Sequence, residues 1–257
     1  LQYITGHTPF RYLDLQVGPG VFIPRPETET VVQAGLDWLT RHSMIHPRMV
    51  DLCAGSGAIG LSIVSEVPGS QVWAVELSPR TAEWTRRNLA VTAKRYPSIA
   101  SNYQLEVADA TSLATLAQLD GTIDIVITNP PYSDHDMPSP NPGKALAHNL
   151  QQFDLSSWLR FCLKMLAPKG LLYLINRAEA VTEIITALYG RTGGLKIIPL
   201  FSKPGQTAKR VMIIAEKDSK APAAILPGLT VHTPDGGYTD EAFQILRGGR
   251  GFFELNG

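Results

Sequence analysis

The chain has 257 residues, of which 44% are hydrophobic, and its 23 basic residues balance its 23 acidic ones. This content is sufficient for one α/β core, and no segment is long and apolar enough to predict a membrane span. The two cysteines, Cys53 and Cys162, have neither metal-binding nor redox spacing. We therefore predict no metal site and expect a reducing, cytoplasmic location.

Short apolar strands alternate with helical stretches along the chain, as is typical of a parallel sheet covered on both faces. Residues 1–25 predict an extended or hairpin segment, and 26–42 predict a helix. Strands are expected near residues 49, 72, 104 and 124, with helices between them. The second half adds a helix over 150–166, a strand over 171–175, a helix over 178–189 and an antiparallel hairpin of 195–201 with 210–215. The pattern predicts a doubly wound α/β fold with seven mostly parallel strands and an antiparallel strand near the C-terminus.

The strand around Met49 runs into a glycine turn and then a helix that reaches about residue 67. Gly55, Gly57 and Gly60 fit the dinucleotide-binding fingerprint, and Glu76 lies where an acid that binds a ribose is expected. An NAD-dependent oxidoreductase is therefore one interpretation of this segment.

A second interpretation rests on the acids at the strand ends. Asp51, four residues before the first glycine, would repel a pyrophosphate but attract a cation. S-adenosylmethionine has no phosphate and carries a sulfonium and an ammonium group, so it suits this site better than NAD does. Glu76 can then bind both ribose hydroxyls, and Asp109 lies where the adenine edge is expected. The predicted cofactor site comprises Asp51, Cys53, Ala54, Gly55, Ser56, Gly57, Glu76, Leu77, Asp109, Ala110 and Asn129. Each acid alone could also be a solvated strand end or a helix cap.

A polar tetrapeptide, Asn129-Pro130-Pro131-Tyr132, follows the apolar strand near residue 124. Neither proline has an N–H group, and the residue before a proline is held extended, so the Asn129 side-chain oxygen and the Pro130 carbonyl can accept hydrogen bonds. The Tyr132 ring can stack on a planar group. These four residues predict a catalytic site that holds a flat –NH2 group, although Asn-Pro-Pro also serves as an ordinary turn that ends a strand.

Three segments carry a resemblance to the release factor glutamine N5-methyltransferases: residues 22–29, the Asp51 to Gly57 turn and the 129–132 tetrapeptide. The resemblance covers residues 1–132 and implies a class I, Rossmann-like fold that uses S-adenosylmethionine, with a release factor as partner. It also implies an acceptor lip made by Pro24, Arg25, Pro26, Glu27 and Thr28, which could equally be structural capping of the first helix.

Residues 133–257 resemble a different family, the adenine-N6 methyltransferases that act on a valine tRNA. The resemblance rests on residues 139–145 and 227–232. A chimera of the two families and a natural divergent member both fit this pattern. The acceptor is then either a glutamine amide, which we favour, or a tRNA adenine.

A group of basic residues on and around the predicted hairpin is the main sequence support for RNA: Lys196, Lys203, Lys209, Arg210, Lys217 and Lys220. Lysines that protect a sheet edge from aggregation would give the same pattern. A non-catalytic RNA-binding module is therefore a third interpretation.

We expect three parts in the chain: a leading hairpin and helix over 1–45, a methyltransferase domain over 46–217, and a C-terminal appendage over 218–257. Residues 1–6 resemble the segment that, in the glutamine-modifying family, follows a helical N-terminal domain. The chain is thus expected to start after such a domain. Residues 133–143 are a candidate lid over the site.

Overall fold

The structure, a computed structural model, describes residues 2–130, 154–247 and 250–252. The chain begins with helix α1 (Gln2–Thr5), a hairpin of strands β1 (His7–Phe10) and β2 (Leu13–Gln16), and helix α2 (Pro26–Arg41). The alternating part follows, with β3 (Arg48–Leu52), α3 (Ala58–Glu66), β4 (Gln71–Glu76), α4 (Pro79–Arg95), α5 (Ile99–Asn102), β5 (Tyr103–Val107) and β6 (Ile123–Thr128). After the gap come α6 (Leu155–Met165), β7 (Leu166–Arg177), α7 (Val181–Leu188), β8 (Thr192–Phe201), β9 (Arg210–Lys217), β10 (Ala224–Ile225), β11 (Leu229–Thr230) and α8 (Asp240–Leu246).

Seven long strands form the central sheet in the order β8-β9-β7-β6-β3-β4-β5, and β9 is antiparallel to both of its neighbours. The doubly wound fold with an antiparallel strand near the C-terminus is therefore confirmed. Two short strands, β10 and β11, pair with β8 in parallel. The sequence pattern does not predict these two-residue strands. The chain runs outward from β3 in one direction through β4 and β5, and in the other through β6 and β7. Strand order thus reverses between β3 and β6, where open α/β sheets bind ligands.

Both faces of the sheet are buried, because alternate residues of each strand pack under different helices. One face packs against α2 and α3 through a cluster that includes Met49, Ile125, Tyr173 and Ile214. The other packs against α6 and α7 through a cluster that includes Val50, Val126, Leu172 and Ile213. This two-sided burial explains why the strands read as continuous apolar runs.

Strand β7 begins earlier than the predicted strand over 171–175. Its register shifts against β6 between Ile123 and Ile125, opposite the segment that contains Lys169 and Gly170. Lys169 has a φ of 69°, and a Cβ on Gly170 would lie 2.9 Å from the Ile123 carbonyl oxygen. Pro168, Lys169 and Gly170, which lie between the predicted helix and the predicted strand, thus form a bulge inside β7.

Residues of the predicted appendage extend the sheet edge and pack on the first helix. Strands β10 and β11 lie along β8, and α8 contacts α2. The Phe252 N–H donates to the Asp37 carboxylate at 2.5 Å. The boundaries at residues 45 and 217 stay predictions. Among the described residues, no helix combines the length and apolarity that crossing a bilayer requires.

A buried amide on α4 joins the hairpin to the central sheet. Asn88, only 1% exposed, accepts from the Gln16 N–H at 2.7 Å and donates to the Gln16 carbonyl at 3.0 Å, as a strand neighbour would. Its amino group also donates to the Ser56 carbonyl at 2.8 Å. One side chain therefore satisfies three backbone groups in two segments.

We expect Asn88→Ala to lower the free energy of unfolding by about 2 to 3 kcal/mol, because it leaves buried backbone groups without partners. Urea denaturation followed by circular dichroism measures this. The matched control is Asn102→Ala, at the end of α5, whose side chain receives one 3.5 Å contact from Ser101. It should change stability by less than about 0.5 kcal/mol. Equal midpoints for the two variants would contradict the role given to Asn88.

Candidate functional site

The candidate site lies at the carboxyl ends of four adjacent parallel strands, β6, β3, β4 and β5. Each strand delivers one polar side chain there or just beyond its end: Asn129, Asp51, Glu76 and Asp109. The sheet thus brings together predicted site residues that are up to 78 positions apart in the sequence.

The turn after β3 is held in an unusual backbone conformation. Cys53, Gly55 and Gly57 have φ values of 63°, 60° and 83°, in the left-handed region that favours glycine. The Gly57 N–H closes the turn on the Ala54 carbonyl at 2.6 Å. Two glycines are therefore required here by conformation, and Cys53, which is half-buried, adopts the same region at some cost in strain.

Helix α4 fixes this turn from the side. The Thr85 hydroxyl donates to the Gly55 carbonyl at 2.8 Å, and Asn88 donates to the Ser56 carbonyl. Thr85 and Asn88 are both buried and lie one helical turn apart. Neither residue belongs to the site predicted from the sequence. A hydroxyl and an amide on one face of a helix, at positions that usually hold apolar side chains, are the sequence feature that indicates such a role.

Asp51 is buried directly beneath the turn. Its Oδ2 accepts from the Gly60 N–H at 2.9 Å, and its Oδ1 has no hydrogen-bond partner among the described residues. Burial raises the pKa of this carboxyl to about 7, the Gly60 bond lowers it, and the nearby charge of Glu76 raises it. A Cβ on Gly60 would lie 3.0 Å from Asp51 Oδ2 and 2.8 Å from the Tyr103 ring, so the third glycine is required by packing.

Glu76 connects the glycine turn to the start of α4. Its Oε2 accepts from the Gly55 N–H at 3.0 Å and its Oε1 from the Ser78 N–H at 2.9 Å. Burial raises the pKa of this carboxyl, and the backbone N–H groups of Ser78, Gly55 and Leu77 lower it. A carboxylate has about four lone-pair positions, so one remains for a hydroxyl beside these three backbone donors. Leu77, the next residue, is half-exposed beside it.

Asp109 is exposed and caps its own turn. Its Oδ1 accepts from both the Thr111 N–H and the Thr111 hydroxyl at 2.7 Å. The capping role that the sequence left open is thus present, and a contact with adenine stays a prediction. Ala110 is buried in the sheet core.

Asn129 reaches the first turn of α2, which lies 101 positions earlier in the chain. Its Nδ2 donates to the Thr28 hydroxyl at 3.1 Å, and Thr28 itself is buried. In the structure the amino end of the amide faces Thr28 and the oxygen end points away from it. Pro130 is buried. Pro131, Tyr132 and the candidate lid lie outside the described residues.

The predicted acceptor lip forms the approach to α2. Arg25 is the N-cap residue, Pro26 opens the helix, and the Thr28 N–H donates to the Arg25 carbonyl at 2.9 Å. The Arg25 side chain gives the helix no capping hydrogen bond. The Glu27 carboxylate lies 3.7 Å from the guanidinium of Arg210, the first residue of β9. The segment containing Pro24 thus meets the site next to Asn129.

The prediction of one basic cluster near the hairpin is wrong. Arg210 and Lys217 are at opposite ends of β9, eight residues long and hence spanning about 24 Å. Arg210 pairs with Glu27, and Lys217 donates to the Leu166 carbonyl at 2.6 Å. Lys217 instead lines a cavity of about 440 Å³ with Arg160, Lys164 and Arg191, at the end of β9 opposite to Arg210. In the described residues, no three His, Cys, Asp or Glu side chains are grouped so that they could hold a metal ion.

The family model with the description "Conserved hypothetical protein 95" matches residues 2–159. A release factor glutamine methyltransferase of Bifidobacterium longum is 88% identical over 132 residues, which cover 51% of this chain and 45% of that protein. A solved structure described as a predicted O-methyltransferase, Atu636 from Agrobacterium tumefaciens, is 25% identical with a TM-score of 0.68. The alignment covers 86% of the present chain and 95% of the chain in that structure.

The chain spans less than half the length of the release factor glutamine methyltransferases of Bifidobacterium longum, Streptomyces coelicolor and Mycolicibacterium smegmatis. A longer match comes from the release factor glutamine methyltransferase of Corynebacterium glutamicum, 34% identical over 206 residues, which cover 77% of this chain and 70% of that protein. These matches show that the chain belongs to the release factor glutamine methyltransferase family.

Proposed function

We propose that this chain transfers a methyl group from S-adenosylmethionine to a planar nitrogen, the side-chain amide of a glutamine in a peptide chain release factor. The observation that carries the proposal is the Asn129 amide, held by Thr28 at the strand end next to the glycine turn. A cytoplasmic location is part of the same proposal.

The cofactor residues fit S-adenosylmethionine. Bound there, this cofactor would supply a methyl group activated by a positively charged sulfur. Asp51 provides a buried carboxylate oxygen without a partner among the described residues, which suits a cationic ligand. Glu76 is the proposed partner of the ribose hydroxyls. Among residues 2–130 and 154–247, a Cβ on Gly55 would meet only the Cys53 carbonyl, at 3.7 Å, so these residues leave space beside the turn. Cys53, Ala54, Ser56, Gly57, Leu77, Asp109 and Ala110 complete the proposed site.

Asn129 and Pro130 orient the acceptor in this proposal. The Asn129 oxygen and the Pro130 carbonyl accept both hydrogens of the –NH2 group, which aims the nitrogen lone pair in one direction. The same two oxygens stabilise the positive charge that develops on nitrogen as the carbon–nitrogen bond forms and the carbon–sulfur bond breaks. The surplus proton leaves to water, so no dedicated base is required. Pro131 and Tyr132 are assigned to this catalytic set from the sequence.

Glutamine is the favoured acceptor because the segment from Pro24 to Thr28, which matches the glutamine-modifying pattern, adjoins Asn129 through Thr28. The relatives are methyltransferases, which supports methyl transfer over hydride transfer. The separation of Arg210 and Lys217 at opposite ends of β9 weakens the argument for a tRNA adenine.

The test is transfer of labelled methyl from S-adenosylmethionine to purified release factor and, in parallel, to unmodified bulk tRNA. We expect label in the release factor, at glutamine. Label only in tRNA would mean that the acceptor is a tRNA adenine. Label in neither would contradict the proposal, and steep salt-dependent tRNA binding would then favour a non-catalytic module. Thermal protection by NADH and not by S-adenosylmethionine would favour an oxidoreductase.

We predict that Asn129→Ala abolishes turnover while the affinity for S-adenosylmethionine changes by less than about threefold, because the acceptor loses its orienting oxygen. Methyl transfer and calorimetric cofactor binding measure the two quantities. Asn102→Ala, remote from the site, is the control and should keep full turnover. Retained turnover in Asn129→Ala would overturn the assigned role.

Cofactor binding should be up to about tenfold weaker at pH 6 than at pH 8. The Asp51 carboxyl, whose pKa burial raises to about 7, is mostly protonated at the lower pH and mostly ionised at the higher one. Only the ionised form attracts a cationic ligand, so affinity increases as pH rises through the pKa. Titration calorimetry at both values measures it.

The variant Asp51→Asn should bind the cofactor weakly and with little change between pH 6 and pH 8, because it cannot ionise. If the variant keeps the wild-type pH dependence, another group is responsible.

A further inference from the structure

The first turn of α2 begins without the usual cap. Its N-cap residue is Arg25, whose side chain cannot accept a hydrogen bond, and a proline follows. The turn carries Glu27 and Glu29 on either side of Thr28, and Thr28 holds the Asn129 amide. Pro26 and the two acids favour the helix start, and the acceptor-binding amide is held by the residue that lies between those acids.

Two arginines from the second half of the chain bind these acids. Arg247, just after α8, binds Glu29 with both terminal nitrogens, at 2.5 Å from Oε2 and 3.3 Å from Oε1. Glu29 is only 1% exposed, so this carboxylate is held by a paired contact of fixed direction. Arg210 lies 3.7 Å from Glu27. Both acids that flank Thr28 are thus paired with the second half of the chain.

We propose that Arg247 is a positioning residue for the acceptor amide: through Glu29 it fixes the first turn of α2 and keeps the Thr28 hydroxyl on the Asn129 amino group. The consequence for catalysis rests on the proposed function, whereas the consequence for the amide does not. The C-terminal appendage, through this one side chain, is part of the machinery that orients the acceptor.

The physical basis is the placement of the amide. In the structure the amino end of Asn129 faces the Thr28 hydroxyl, so the oxygen end points away from α2. If the first turn of α2 loosens, the amide loses this fixed contact and the acceptor oxygen moves by roughly an ångström. A displacement of that size costs up to about a hundredfold in rate.

The first test reads the amide itself and needs no turnover. In protein labelled with ¹⁵N-asparagine, the Asn129 side-chain resonance is assigned by its loss in Asn129→Asp. We expect its amide protons to exchange with solvent at least about tenfold faster in Arg247→Met than in wild type, because the bond to Thr28 is made less often. Unchanged exchange in a folded variant would overturn the proposal.

The matched control is Arg86→Met, which removes an exposed arginine from its pair with Glu83 on α4. It should leave the Asn129 resonance unchanged, because exposed pairs contribute little and this one lies on a different helix. If Arg247→Met does not fold, the paired variant Glu29→Gln with Arg247→Gln replaces it, since it leaves no buried charge alone. The same faster exchange is expected there.

The second test is a double-mutant cycle on methyl transfer. Arg247→Met should lower kcat by about tenfold or more while cofactor affinity changes by less than about twofold, and Arg247→Lys should restore part of the loss. Thr28→Val removes the hydroxyl, and in that background Arg247→Met should lower kcat by less than about twofold further. Thr28→Ser should behave as wild type.

The outcomes separate the two proposals. Equal, additive losses of kcat in both backgrounds would mean that Arg247 acts independently of Thr28, which would overturn the positioning role. If wild type transfers no methyl group to release factor or to tRNA, the proposed function fails and the exchange experiment alone decides the positioning role.

Discussion

The left-handed turn after β3 is the constraint on which the site depends. Three of five consecutive residues, from Cys53 to Gly57, have positive φ, a conformation that the backbone does not hold without support. The support comes from α4 through Thr85 and Asn88, and from Glu76, which accepts a hydrogen bond from the turn. The turn, the acid of the next strand and the following helix therefore form one unit, and each fixes the others.

The second constraint lies at the start of α2. There the chain brings together two acids and a hydroxyl from α2, an amide that follows β6 and a guanidinium that follows α8. The contact between the Glu29 carboxylate and the Arg247 guanidinium is matched in charge and geometry. The segment after β9 is therefore joined to the start of α2 as well as to the sheet edge.

The sequence was sufficient for the sheet because both of its faces are buried. Continuous apolar runs such as Ile125 to Ile127 predict strands that are buried on both faces. The glycine turn after β3 predicts that this strand lies in the middle of the sheet, next to the ligand site. It was not sufficient for long-range pairing. The bond from Asn129 to Thr28 spans 101 positions and that from Arg247 to Glu29 spans 218, and no local pattern encodes such partners. The prediction of one basic cluster is wrong for the same reason. Arg210 and Lys217 are close in sequence, but the extended strand β9 separates them in space.

The separation of 218 positions between Arg247 and Glu29 also has a consequence for synthesis on the ribosome. The cofactor half of the sheet, β3 to β5, consists of neighbours in sequence and can form as soon as it emerges. The start of α2 cannot, because it receives this partner only after 218 further residues have been translated. Contacts of such high sequence separation form late and slowly. The proposed cofactor site can therefore form earlier during synthesis than the proposed acceptor site.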